Sequence, residues 1–99
     1  MAPEMAPEKN VVRNVAEHRF EVEGTNGRAV LTYNEGHRHI TLIHTEVPPE
    51  FAGQGYGGLL SKAALDYARS ANLRVIALCP FVLKYVERHP EYADLISAG

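Results

Sequence analysis

The chain has little of several things, and each shortage narrows what it can be. It holds one cysteine, Cys79, so no disulfide can form within it and nothing points to a secreted, stapled scaffold. A reducing cytoplasm is the expected setting. No stretch approaches the ~20 consecutive apolar residues of a membrane span, and the opening residues contain no apolar signal core. Ten Lys and Arg against twelve Asp and Glu leave a net charge of -2, with the cations scattered. That excludes the electrostatic footprint of a protein that binds nucleic acid or an anionic membrane. With 99 residues there is room for one core and no second catalytic domain. Residues 1–9, where Met-Ala-Pro-Glu occurs twice, read as a disordered leader, and residues 10–99 as a single domain.

What is present begins with alternation. His18, Phe20 and Val22 stand against Arg19, Glu21 and Glu23, the pattern of a strand with one buried face. Gly24-Thr25-Asn26-Gly27 then supplies a hairpin turn, since Asn-Gly accepts the positive φ that a tight turn needs. Residues 29–33 form the return strand, and Asn34-Glu35-Gly36 turns the chain into a longer extended run over 37–47. In that run alternation puts Ile40, Leu42 and His44 on one face, and Thr41, Ile43, Thr45 and Val47 on the other. Pro48 and Pro49 cannot continue the ladder, so the strand ends there.

Helical spacing takes over at Leu59, where Leu60, Ala63, Ala64, Tyr67, Ala68 and Ala71 recur on one side, and Asn72 can end the helix. Residues 73–79 are a short apolar run, read as a buried strand. Because a helix leads to it, it is parallel to the strand before that helix, joined by a right-handed crossover. After Pro80 a second helix is predicted, with Phe81, Val82, Tyr85 and Val86 on one side and Lys84, Glu87 and Arg88 on the other. His89-Pro90 breaks it before one last helical turn or two. The fold class is therefore α/β (α+β): three antiparallel strands, a helix, a parallel strand and C-terminal helices.

The stretch that carries chemistry is 47–62, which runs from strand through loop to helix with glycines at 53, 55, 57 and 58. Glycine lets backbone approach a ligand, and the first turn of a helix has N–H groups without intrahelical partners. The two together can cradle an anion such as phosphate or pyrophosphate, or glycine can merely permit a tight entry to the helix. In open α/β sheets, ligands bind at this carboxyl end of the strands.

Val47-Pro48-Pro49-Glu50-Phe51, followed by Gly53-Gln54-Gly55-Tyr56-Gly57 and the helix through Leu59, Leu60 and Ala64, resembles the GNAT superfamily of acetyl-CoA-dependent N-acetyltransferases. His44-Thr45-Glu46-Val47-Pro48, Cys79-Pro80-Phe81 and His89-Pro90-Glu91-Tyr92 are similar to a subfamily of very small, single-domain members. The resemblance implies a cradle for the coenzyme A pyrophosphate at Ala52, Gly53, Gln54, Gly55, Tyr56, Gly57 and Gly58. It also implies a gap between parting strands for the pantetheine arm, with Thr45, Val47 and Leu78 at its edges. The leading Arg or Gln of the family's signature falls on Ala52, so only the backbone part of the cradle carries over. The family's general-acid Tyr position falls on Val86, one beyond Tyr85. Strands that follow the last helix in longer members are absent here, which leaves the acceptor side more open.

Acetyl transfer needs an amine deprotonated and a thiolate protonated. His44 and Glu46, on one face of the strand before the loop, are candidate bases, with a solvated or sheet-bonded role as the alternative. Tyr85 is a candidate acid or a packing residue. Cys79, ending the adjacent strand where a helix begins, is either a nucleophile that takes the acetyl group first or a small buried apolar side chain. His37 and His39 share a strand face, but no residue completes a metal set, so no metal is expected. The implied cofactor is acetyl-CoA or coenzyme A, and the implied partner an amine-bearing acceptor. Nothing in the pattern demands a second subunit. A module that binds coenzyme A or acyl-CoA without turnover is the competing function.

Overall fold

The alternating segments form a five-stranded sheet in the computed structural model, which describes residues 11–24, 27–51, 53 and 55–97. The strands are β1 Val12–Asn14, β2 Arg19–Gly24, β3 Gly27–Glu35, β4 His39–Glu46 and β5 Arg74–Ala77, lying side by side in chain order. The first four are antiparallel, and β5 runs parallel to β4. Helix α1, Tyr56–Ser70, connects the parallel pair and touches β2, β3, β4 and β5. Helix α2, Pro80–Arg88, packs beside α1, and a 3-10 segment at Pro90–Leu95 closes the domain.

One core explains this arrangement. Phe20, Val22, Ala29, Leu31, Tyr33, Ile40, Leu42 and Val75 are the inward rows of four strands, and all are buried. They meet Leu60, Ala64, Leu65 and Ala68 of α1. Alanines at 64 and 68, one turn apart, let the helix backbone lie close to the sheet. Val82 and Val86 of α2 complete the core with Tyr92 and Leu95. Each fully buried Leu, Ile or Val contributes on the order of 2 kcal/mol. A charge on any of these rows would therefore cost a large share of the stability of so small a domain.

The predicted order of elements is present, with three local differences. An additional edge strand, β1, pairs with β2; it is three residues long and Val12 is exposed, so it leaves no alternation to read. His18 is not part of the second strand. It takes a left-handed conformation, φ 57°, in the turn between β1 and β2, where its carbonyl accepts the Tyr33 amide at 2.9 Å. Residues 25 and 26 of the predicted hairpin turn lie outside the described residues, between the paired Gly24 and Gly27.

The third difference matters most for the site. Tyr33 lies opposite Leu42, but Thr32 lies opposite His44, so Ile43 is an extra residue in β4. Such a bulge reverses the alternation that follows it. Thr45 consequently faces Leu31 on the core side, and His44 and Glu46 project from the outer face. The expected grouping of His44 with Ile40 and Leu42 is thereby corrected. Pairing of β4 with β5 also stops here, at Leu42 opposite Ala77, with one further bond from the Leu78 amide to the Leu42 carbonyl at 3.0 Å. Beyond it the two strands part. The free edge of β5 is covered by the C-terminal residues: the Ser97 amide donates to Val75, and Arg74 donates to the carbonyls of Asp94 and Ile96.

Candidate functional site

A cleft of about 820 Å³ opens at the end of the sheet where β4 and β5 part. One wall is Val47, Phe51, Gly53, Gly55 and the first residues of α1. The other is α2, which presents Phe81, Lys84, Tyr85 and Arg88 along a single helical stripe, with His89 beyond.

The loop wall is built for backbone contact. Gly53 and Gly55 have φ of 82° and 83°, the left-handed region, and a Cβ on either would meet nothing within 4 Å. The backbone angle, not crowding, therefore selects glycine. Gly55 occupies the N-cap position of α1 and supplies no side-chain acceptor, and the first turn carries no acidic residue. The first turn therefore sets no negative charge of its own against the positive end of the helix dipole, a geometry that suits an anion. Ala52 and Gln54, both expected in the cradle, lie outside the described residues.

Close packing joins the walls. A Cβ at Gly57 would sit 2.1 Å from the Phe81 ring, and one at Gly58 would touch the Tyr85 ring at 3.6 Å. Glycine at 57 is what allows α2 its approach. Tyr85 stacks on His89 with centroids 4.1 Å apart, and burial pushes its phenol above the usual range, so it keeps its proton at neutral pH.

Cys79 is 3 % exposed and precedes α2, accepting the Val82 and Leu83 amides at its carbonyl. Its Sγ lies 3.2 Å from Thr45 Oγ1, across the gap between the strands. Leu78 beside it is exposed, whereas Val47 packs against the core. The candidate bases are on the other side of the sheet: His44 Nε2 is 3.3 Å from Glu46 Oε2, and both side chains are more than 60 % exposed. Cys79 and Thr45 thus form one group and His44 with Glu46 another, and neither group is among the residues that line the cleft. Lys84, Arg88 and His89 join the cleft although the helical pattern set Lys84 and Arg88 on the solvent side. Their spacing with Phe81 and Tyr85, at i, i+3, i+4 and i+7, was the available signal. Among the described residues no group of three or more His, Cys, Asp or Glu could hold a metal ion. No described helix is long and apolar enough to cross a membrane.

A glycine loop in left-handed geometry opens a helix where two parallel strands part, within a mixed α/β domain. The chain belongs to the GCN5-related N-acetyl-transferase family, whose sequence profile matches residues 19–95. It is 37% identical over 92 residues to protein NATD1 of Bos taurus, covering 90% of this chain and 81% of that one. It is 40% identical over 70 residues to protein NATD1 of Homo sapiens, covering 70% of this chain and 62% of that one, so it spans less than two thirds of the human relative. The solution structure of a GCN5-like protein from Staphylococcus aureus matches with a TM-score of 0.69 and 32% identity, over 89% of this chain and 87% of that one.

Proposed function

We propose that the chain is an acetyl-CoA-dependent N-acetyltransferase that moves an acetyl group to an amine of a small molecule or a polypeptide, in the reducing cytoplasm. The observation that carries this is the parting of β4 and β5 at the Ile43 bulge, at the same end of the sheet as the left-handed glycines. Residues 44–46 pair with β3 on one side and with no strand on the other, so their backbone can bond an extended amide arm. Gly53, Gly55 and the α1 amides fit a pyrophosphate, and the cleft's volume suits a cofactor-sized ligand. When bound, acetyl-CoA supplies a thioester carbonyl open to attack by nitrogen.

The chain's own residues then have separable tasks. The helices fill the inner face of the sheet, so a donor enters from their side and an acceptor reaches the gap from the outer face. His44 and Glu46 stand there, placed to take a proton from an ammonium group directly or through water. Tyr85, on the α2 wall of the cleft, lines the cofactor. Cys79 and Thr45 set the width and polarity of the gap at the reacting end. Direct transfer to the amine needs only these groups. Passage through an acylated Cys79 requires its buried thiol to ionise first.

A coenzyme A-binding module without turnover is the second reading, favoured by one observation: the thiol is buried and the candidate bases lie across the sheet from it. Thiol release from acetyl-CoA with a panel of amines separates the two. Release that depends on the amine supports the enzyme. Binding without release from any amine supports the module.

A further inference from the structure

We propose that Lys84 and Arg88 form a phosphate-monoester site that reads the 3′-phosphate at the adenosine end of coenzyme A. The cleft would then select coenzyme A over its dephosphorylated form. This rests on the cleft being the coenzyme A site.

The first support is charge pairing. Among the described residues Arg19 and Arg28 pair with Glu21 or Glu23, Lys62 with Asp66 and Arg69 with Asp94. Arg13 bonds Tyr33 and covers the Tyr67 ring, and Arg74 bonds two carbonyls. Of the three that make no such pairing, Arg38 lies in the turn before β4, whereas Lys84 and Arg88 both line one cleft. Among the described residues no carboxylate lines it, although the chain as a whole carries a net charge of -2. Two cations that form no ion pair, on one wall of one cleft, are matched to an anionic ligand.

The second support is the chemistry of the two walls. Backbone amides at Gly55 and the α1 N-terminus suit the singly charged phosphates of a pyrophosphate diester. A terminal monoester carries nearly two charges at neutral pH and is held better by full cations. Lys84 and Arg88, one helical turn apart, put an ammonium and a forked guanidinium on the same stripe of α2. Between them in sequence, Tyr85 stacks on His89, forming an aromatic shelf suited to an adenine ring beside that phosphate.

Calorimetry with coenzyme A and dephospho-coenzyme A, on the wild type and on Lys84→Ala/Arg88→Ala, tests this. The wild type is expected to bind coenzyme A about tenfold to a hundredfold more tightly, from two charge-assisted contacts. The double variant is expected to lose that preference and to bind dephospho-coenzyme A as the wild type does, with an unchanged thermal midpoint. Raising the salt concentration is expected to narrow the wild-type preference. Equal wild-type affinities, or a preference that survives both substitutions, overturns the proposal while leaving coenzyme A binding intact. If neither compound binds, the underlying assignment of the cleft fails and this site fails with it.

Discussion

Thr45 Oγ1 and Cys79 Sγ lie 3.2 Å apart across the gap that opens once β5 has stopped pairing with β4. The contact depends on the bulge at Ile43, without which alternation would turn Thr45 to the outer face. It also depends on Pro80, which starts α2 and fixes the strand end that holds Cys79. Two chain segments more than thirty residues apart therefore bring one hydroxyl and one thiol together at the gap between the strands.

Replacing Cys79 by Ala removes the thiol with little loss of packing, at about 1 kcal/mol of stability. Transfer is expected to fall about tenfold, equivalent to one lost positioning contact, without disappearing. Steady-state thiol release together with acetyl-CoA calorimetry checks this. Complete loss of transfer with full binding would assign Cys79 the nucleophile's role instead of direct transfer.

Gly55→Ala puts a Cβ on a residue at φ 83°, which costs about 1–2 kcal/mol by steric conflict with the backbone. A lower thermal midpoint and acetyl-CoA binding weakened by about tenfold are expected, because relaxing the angle re-aims the amides at the head of α1. A variant with wild-type midpoint and affinity would show that the left-handed geometry serves neither purpose.

Gly57→Ala creates a conflict with the Phe81 ring, which is 47 % exposed and free to swing outward. The expected cost is about 1–2 kcal/mol. In a Phe81→Ala background the same change is expected to cost much less. Urea unfolding of the two single variants and the double variant measures the coupling, and strict additivity would contradict the close approach of the helices.

Asp66 links α1 to the C-terminal segment. Burial raises its carboxyl, but hydrogen bonds from Lys62 at 2.7 Å and Tyr92 at 2.6 Å outweigh this and hold it below the ordinary carboxylate range. A depressed folded-state pKa gives stability that is present above the unfolded value and lost as pH falls through the folded one. Asp66→Asn is expected to lower stability at pH 7 by roughly 1 kcal/mol, a modest figure because the side chain is half exposed. The difference from wild type is expected to shrink as the pH drops through the carboxylate range. Urea titrations at several pH values decide it, and a gap that stays constant down to pH 2 contradicts the linkage.

Much of the fold was legible because it rests on periodicity. Phe20 and Val22, then Leu60, Ala64 and Ala68, declare their buried faces, and the glycines declare the loop. What escaped lies where periodicity breaks. Ile43 inserts one residue into a ladder, and no count of apolar positions shows that; His44 was thereby put on the wrong face. The left-handed turn at His18 and the exposed edge strand at Val12 bury too little to leave a pattern. Lys84 and Arg88 carry the composition of a solvated helix face, and only the approach of α2 to Gly57 turns that face toward the loop.

The most direct test of the central claim is an NMR titration of the wild-type chain with acetyl-CoA. Saturable shifts are expected in the amides of Gly53, Gly55 and the first turn of α1, and in residues 44–46 and 78–79 at the parting strands. The outer strands β1 and β2 are expected to stay unperturbed. No shift at millimolar acetyl-CoA, or shifts confined to residues away from the gap, would contradict the assignment of this cleft to an acetyl donor.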